Sequence, residues 1–469
     1  MELLNANPKF SGKFGDKRID RKAEQLLSRL IIGRNSSIRQ LTESEAEQRS
    51  FYRLLNNESF SEQALEQSII ERCGELSANR HLLCIQDTVE FNLNSKRNRI
   101  QANSGLGSIS KSEVLGFLLH SSLVIDADNG MPLGYTYVKA WSRTDTHPQK
   151  HERQYQRQPI EQKESNKWVE ASEQTKKILS KGRAITIIAD RESDIYELLA
   201  GIPDGKTHLL LRSNANRRLK DGGKLTDHLS SLPVLHTFSL DVPGDNRKGR
   251  KKRKALIEIK WCAVSIRKPD TCRNPELPQH LELFVVEAKE AGTNHGIYWR
   301  LLTTHPVTDS AFAMEVIEWY RQRWNIEQIH RLLKNQGIRI EESQLEKGYA
   351  IRKLTLLSMM AALRILQMLL SYEEEQEHPA LLAFTEDQQN CLNQINLKVE
   401  RETELQRNPY TTKTLKWSTW IIARLGGWKG YTAQRKPGPI VLQKGLVKFY
   451  QMFEGWLLAQ QFQKDLYTQ

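Results

Sequence analysis

RAITIIADRESDIYELLAGI, residues 183–202, reads as a strand, an acid and a helix in immediate succession. RAITIIAD (183–190) is an apolar, β-branched run of strand length, the composition of a buried strand. SDIYELLAGI (193–202) has helical spacing, with Ser193 or Asp194 as the expected N-cap. Working upstream, NKWVEASEQTKKILS (166–180) is helical. VLGFLLHSSLVIDADNGMPLGYTYVKAW (114–141) reads as two strands joined around Asn129–Gly130, and HLLCIQ (81–86) is a short apolar run ending at Asp87. Strand, hairpin, helix, strand, helix predicts an α/β sheet with antiparallel and parallel parts. Asp87 and Asp190 are then expected at the C-terminal ends of their strands, where open α/β sheets hold ligands.

Downstream, residues 205–308 contain five strand-like runs (THLLLRS, TFSLDV, ALIEIKWCAVSI, LELFVVEA and IYWRLLTT), read as a β-rich insertion in the α/β domain. One loop within it, RKGRKKRK (247–254), holds seven positive charges in eight residues, as a disordered tether or a phosphate-contacting loop would. Helices follow to the C-terminus. The acidic EEEQEHP (373–379) is a plausible boundary there, and LVKFYQMFEGWLLAQQF (446–462) carries an apolar stripe that fits either the core or a partner. The first 62 residues also read as helical: KRIDRKAEQLLSRLI is amphipathic, and Thr42 with Glu45 forms an expected capping box. Lys13, Lys17, Arg18, Arg21 and Lys22 give this module a basic edge, which suits DNA and equally suits a solvated helix face. The expected division is a helical module over 1–62, an α/β domain over 63–372 and a mainly helical domain over 373–469.

Composition bounds the function classes. The 469 residues carry a formal net charge of +13 with 39% hydrophobic and 27% charged residues, an ordinary globular composition with a surplus that favours polyanions. Cysteines at 73, 84, 262, 272 and 391 show no CxxC spacing, which argues against a disulfide framework or zinc ribbon and fits a reducing cytosol. The N-terminus has no apolar signal core. The most apolar run, LTLLSMMAALRILQMLL (354–370), is interrupted by Arg364 and Gln367, so a buried core helix is expected and membrane attachment is not.

The chemistry concentrates in YRQRWNIEQIHRLLK (320–334). On one helix, Tyr320, Arg323, Glu327 and Lys334 fall within an arc of roughly 60°, and Arg331 lies four residues beyond Glu327. One reading is an exposed helix with i, i+4 ion pairs. The other joins Glu327 to Asp87 and Asp190, since carboxylates that end apolar strands are costly unless a cation meets them. Three such acids can hold a pair of magnesium ions about 3.5–4 Å apart, an arrangement that serves phosphodiester chemistry, while the surrounding bases grip flanking phosphates. Within DRESD, Asp190 is preferred because it directly follows the strand. Asp194 has an easier explanation as a helix cap, and Glu192 is left an assisting role.

The same residues carry a resemblance. Y-x2-R-x3-E-x6-K, met by Tyr320, Arg323, Glu327 and Lys334, together with CIQDT around Asp87 and DRESDI at 190–195, resembles bacterial DDE transposases of the insertion-sequence-four type. ESNKWVEAS, WRLLTTHPV and IIARLGGW match text of that family in the same order, over nearly the whole chain. The resemblance implies an RNase H-like core with a β-strand insertion, flanked by a DNA-end-binding domain and a dimerisation domain. It implies cut-and-paste transposition by a homodimer on double-stranded DNA in the bacterial cytoplasm, with Mg2+ as cofactor and Mn2+ as substitute. By motif matching it makes Asp87, Asp190 and Glu327 the catalytic, metal-binding acids. Tyr320, Arg323 and Lys334 become phosphate contacts, Trp299 a platform for a flipped base, and Arg212, Arg331 and Arg18 further DNA contacts; Arg331 stands where a close relative has lysine. A DNA-binding regulator without activity and a nuclease without strand joining are the alternatives.

Overall fold

A computed structural model describes residues 10–467 apart from 11, 34, 110–113, 144–157, 243, 245–250, 294–295, 336, 373–376, 401–405 and 432–435. Four helices come first: α1 (Lys17–Gly33), α2 (Ile38–Leu41), α3 (Glu45–Asn56) and α4 (Glu62–Leu76). Helix α1 buries Ala23, Leu26, Leu27, Leu30 and Ile31, the 3–4 spacing of an amphipathic helix. Its buried Asp20 accepts from the backbone N–H of Gly12 at 2.7 Å and of Phe14 at 3.2 Å, which folds the basic GKFGDKR segment into a turn. Glycine suits that turn, because Gly12 and Gly15 lie at φ +78° and +73°.

The expected capping box is displaced. Ser44, not Thr42, caps α3, accepting from the N–H of Glu47, whose carboxylate in turn accepts from the N–H of Glu43. Thr42 is instead the C-cap of α2, and its hydroxyl donates to Ile38 O.

Among the described residues, the centre is one mixed sheet of ten strands: β1 (His81–Asn92), β2 (Gly107–Ser108), β3 (Leu115–Asp126), β4 (Pro132–Trp141), β5 (Ala184–Ala189), β6 (Thr207–Arg212), β7 (His236–Val242), β8 (Arg253–Arg267), β9 (His280–Glu290) and β10 (Tyr298–Thr303). The order is β2-β3-β1-β5-β6-β10-β9-β8-β7, with β4 on β3. Strands β1, β5 and β6 are parallel; the remaining pairings are antiparallel. Strands β6 to β10 therefore extend the central sheet, with helix α7 (Leu225–Ser231) among them. Of the basic stretch 247–254, residues 247–250 lie outside the described residues, and Arg253 pairs with Glu290.

Both faces of the central strands β1, β3, β5 and β6 are covered, which explains their apolar runs, whereas β7 and β8 at the edge are largely exposed. Along β1, Leu83 and Ile85 enter one core and Leu82 and Cys84 the other. Helices α5 (Asn166–Ile178) and α6 (Tyr196–Gly201) supply the second core, through Trp168, Tyr196, Leu198 and Leu199. The first core is closed by α8 (Ser310–Arg321), α9 (Trp324–Lys334), α10 (Gly348–Leu370), α11 (Glu386–Val399), α12 (Leu415–Leu425) and α13 (Pro439–Tyr467), together with the N-terminal helices. Helix α10 is long and apolar enough to cross a membrane, but 83% of its most apolar window is buried in the protein.

The polar residues of α10 have partners within the fold. Arg364 donates to the Tyr450 hydroxyl at 2.8 Å, Gln367 to Pro132 O at 2.9 Å, and Lys353 to Asn57 O at 2.8 Å. One helix thereby ties α13, the sheet and the N-terminal helices. Residues 373–376 of the acidic stretch lie outside the described residues. In α13 the apolar stripe divides. Leu442, Leu446, Phe449 and Tyr450 are buried, whereas Met452, Leu457, Leu458 and Phe462 are exposed.

Candidate active site

Strand parity places the first two acids. Positions 83, 85 and 87 of β1 share one face, and Ile188 and Asp190 share one face at the end of β5. Leu83, Ile85 and Ile188 belong to the core that α9 closes, so Asp87 and Asp190 project toward that helix. The parallel pairing of β1 with β5 ends at Ile85↔Ile188, and both aspartates follow two residues later. Asp190 does end its strand. Asp87 does not: β1 continues to Asn92 because it keeps pairing with β3, from Asp87↔Ser121 to Asn92↔Gly116. Asp87 instead marks the end of the parallel pairing.

Helix α9 brings Glu327. The expected single helix over 320–334 is broken, since α8 ends at Arg321 and α9 begins at Trp324. Gln322 and Arg323 keep right-handed backbone angles across the break, with Arg323 as N-cap of α9. Its guanidinium lies among the acids: Nη1 is 3.5 Å from Asp87 Oδ2, and Nη2 donates to Glu327 Oε1.

The charges act on one another. Burial, reinforced by Asp190 and Glu327 and opposed by Arg323, pushes the Asp87 carboxyl up to about 7. Burial alone would lower the Arg323 pKa, but Tyr320, Glu327, Asp87 and Asp190 outweigh it and hold it above the ordinary guanidinium value. All three carboxylates thus bear on one cation. Among the described residues no three acid, histidine or cysteine side chains stand together at metal-holding geometry; here Arg323 lies between Asp87 and Glu327. The donor set is nevertheless that of a hard divalent cation: carboxylate oxygens only, gathered where one is costly to ionise.

The DRESD segment separates its acids by environment. Asp190 accepts from the N–H of Glu192 at 2.9 Å and caps the short turn 191–193. Asp194 is not a helix cap; Ile195 holds that position, without a side-chain bond. The Asp194 carboxylate is buried against Arg217, and it accepts from the N–H groups of Asn214 at 2.7 Å and Ala215 at 2.9 Å. It anchors the loop after β6. The Glu192 carboxylate is mostly exposed, 3.7 Å from Lys167.

The remaining candidates fall into three groups. Tyr320 is buried and packs edge-on against Trp299, with ring centres 6.0 Å apart. Arg212, the last residue of β6, lies near the Tyr320 hydroxyl and donates to Tyr298 O at 2.8 Å. Arg323 therefore adjoins Asp87 and Glu327, and Trp299 packs against the neighbouring Tyr320. Lys334 ends α9 and reaches back to Glu90 O at 2.9 Å and Glu341 Oε1 at 3.0 Å. Arg331 stacks over Trp324, 4.2 Å from the ring centre, and that indole is 49% exposed. Arg18 lies on α1 in the N-terminal helices, exposed and paired with Asp16 at 3.0 Å.

His330 was not singled out from the sequence. It follows Glu327 by three residues, so one turn of α9 carries both toward β1, and that spacing was the available signal. Its Nδ1 lies 3.8 Å from Asp87 Oδ2. Burial lowers its pKa to about 3, so the imidazole beside Asp87 is neutral near pH 7.

The two aspartates thus stand on a mixed sheet that follows a basic helical segment. Residues 116–364 match the family described as "Transposase DDE domain", and residues 11–60 match "Transposase DNA-binding". The first match spans more than half of the 469 residues, and the chain belongs to the DDE transposase family. Asp190 and Glu327 lie inside the matched range, and Asp87 precedes it. Among solved structures, the chain is similar to a piggyBac transposase synaptic complex with hairpin DNA. That match has 8% identity and a TM-score of 0.36, over 92% of this chain and 76% of that one.

Proposed function

We propose that this protein is a cut-and-paste DNA transposase of the insertion-sequence-four type, close to Tn-five transposase. In this reading an RNase H-like catalytic domain spans 63–372, including the strands of about 205–308. Residues 1–62 bind the transposon end, and 373–469 form the dimerisation domain of a homodimer working at the bacterial nucleoid. The observation that supports the reading is that Asp87 and Asp190 stand in register on one face, and that Arg323 bridges Asp87, at 3.5 Å, and Glu327, its hydrogen-bond partner. The exposed apolar half of α13 supports the dimer.

Asp87, Asp190 and Glu327 would hold Mg2+, or Mn2+ in its place. Bound there, the ions would supply the charge that stabilises the attacking and leaving oxygens of a phosphodiester displacement. The chain's own residues do the positioning. Neutral His330, 3.8 Å from Asp87 Oδ2, lines one side of that carboxylate. Arg323, Arg212, Arg331 and Lys334 neutralise backbone phosphates along the groove. Trp299, edge-on to Tyr320, offers an indole face to a base turned out of the duplex, and stacking offsets part of the unpairing cost.

The reaction is four displacements at phosphorus. Water displaces the 3′ oxygen at the transposon end and frees a 3′ hydroxyl. That hydroxyl attacks the opposite strand and closes a hairpin, releasing flanking DNA. A second water opens the hairpin, and the 3′ ends then attack target phosphates.

The test is to incubate the protein with a duplex carrying the terminal repeat that flanks its own gene, Mg2+ and a target plasmid. Nicked, hairpin and joined products are expected in that order. Cleavage without joining would make the protein a nuclease, and tight end binding without a nick would make it a regulator.

A further inference from the structure

Arg323 stands between two of the three acids, Asp87 and Glu327, and it is itself a residue that DNA would attract. Its guanidinium is 3.5 Å from Asp87, hydrogen-bonded to Glu327 and within the field of Asp190. It reaches this position from the break between α8 and α9, as the first turn of α9 starts. The side chain is about one-fifth exposed, as are those of Asp87 and Glu327 within a few per cent, so the cluster opens to solvent on one side.

A guanidinium and a divalent ion cannot share this place. Carboxylate oxygens bind Mg2+ at about 2.1 Å in a demanding octahedral geometry. A flat fork hydrogen-bonded to those oxygens blocks the approach, and its charge repels the ion. Phosphate provides the alternative partner: it accepts a bidentate arginine through charge-assisted bonds, as carboxylate does. The buried Tyr320 and the guanidinium of Arg212, which donates to Tyr298 O, lie near Arg323.

We propose that Arg323 is a latch on the metal site: in the DNA-free protein it holds the cation position among Asp87, Asp190 and Glu327, and an arriving DNA end draws it onto a phosphate and admits the divalent ion. This inference rests on the proposed function of the three acids. It makes metal binding and DNA-end binding mutually reinforcing, because whatever removes Arg323 from the carboxylates helps the other ligand equally. The free enzyme is thereby kept from loading metal until it holds an end. The apparent metal affinity of the free protein falls by the fraction of time the site is unlatched.

The experiment titrates Mn2+, followed by its paramagnetic resonance signal, into the full-length protein alone and with the terminal-repeat duplex. Wild type should bind at least about tenfold more tightly with the duplex than without it, a population shift of the ordinary size for coupled sites. Arg323→Gln should bind Mn2+ about tenfold more tightly than wild type in the absence of DNA, and the duplex should then add little. Arg323→Lys, shorter and without the fork, should fall between them and guards against misfolding of the glutamine variant. Arg212→Gln removes a neighbouring positive charge without opening the latch and should change the free affinity less than about threefold.

An unchanged free affinity in Arg323→Gln and Arg323→Lys would overturn the latch, as would an equal gain in Arg212→Gln. Absence of Mn2+ binding even in the wild-type complex with DNA would overturn the three-acid site itself, and the latch with it.

Discussion

Asp87 and Asp190 stand in register on neighbouring parallel strands, each two residues beyond the last paired positions, Ile85 and Ile188. Strand alternation turns both toward α9, so two acids separated by a hundred residues of chain meet without any loop to position them. A site built on strands and one helix is held by the same packing that holds the core.

The strain of gathering these acids is measurable without DNA. The folded state raises the Asp87 carboxyl from its ordinary 3.8 to about 7, burial being the largest cause. A raised carboxyl contributes stability that is complete below its unfolded value and lost as pH climbs through its folded value. Asp87→Asn has no such loss. Its melting temperature should match wild type near pH 4 and exceed it by about 2–4 °C at pH 8 in chelator. A gap that is constant with pH would contradict the assignment of that shift to Asp87.

Asp194 should separate from Asp190 by stability. Its carboxylate is buried against Arg217 and tied to two backbone N–H groups. Asp194→Ala leaves Arg217 buried without its partner and should cost about 3–5 kcal/mol, seen as a loss of soluble, cooperatively melting protein. If Asp194→Ala melts normally and only cleavage is lost, Asp194 rather than Asp190 is the acid of this segment.

Trp299→Ala should impair hairpin closure more than the first nick. The indole rests half-buried against Tyr320, so its removal takes away a stacking face and leaves β10 paired with β6 and β9. Time courses resolving nick from hairpin check this, and equal slowing of both steps would assign Trp299 to the fold.

Lys334→Ala should lower the dependence of log K for DNA on log salt by about one unit, the signature of one lost phosphate contact. In the free protein Lys334 pairs with Glu341 at 3.0 Å, so this contact requires it to change partners. An unchanged slope would show that the lysine stays with Glu341 and serves the packing of α9.

Much of this was legible in the residues. RAITIIAD at 183–190 reads as a buried strand, and Arg364 and Gln367, which interrupt 354–370, point to a core helix rather than a span; both segments lie in the core. Asp87 and Asp190 drew attention because each ends an apolar run, and Glu327 because it is the one acid on a basic helix. What failed was local geometry decided by tertiary partners. Nothing in YRQRWN, which has neither glycine nor proline, signals the break at Gln322–Arg323. Thr42 and Ser44 are equally good caps by type, and only the end of α2 at Leu41 selects Ser44. Asp87 lies within its strand because β3 continues to pair beyond the point where β5 stops. The place of Arg323 depends on three elements meeting, which no single stretch contains.

The most direct measurement is strand cleavage of the terminal-repeat duplex in Mg2+ by Asp87→Asn, Asp190→Asn and Glu327→Gln, beside gel-shift affinity for the same duplex. Each variant should lose cleavage by a factor of about a thousand or more, the scale of removing a principal electrostatic group, with binding changed less than about threefold. Nicking at the wild-type rate by any one of the three would contradict the account.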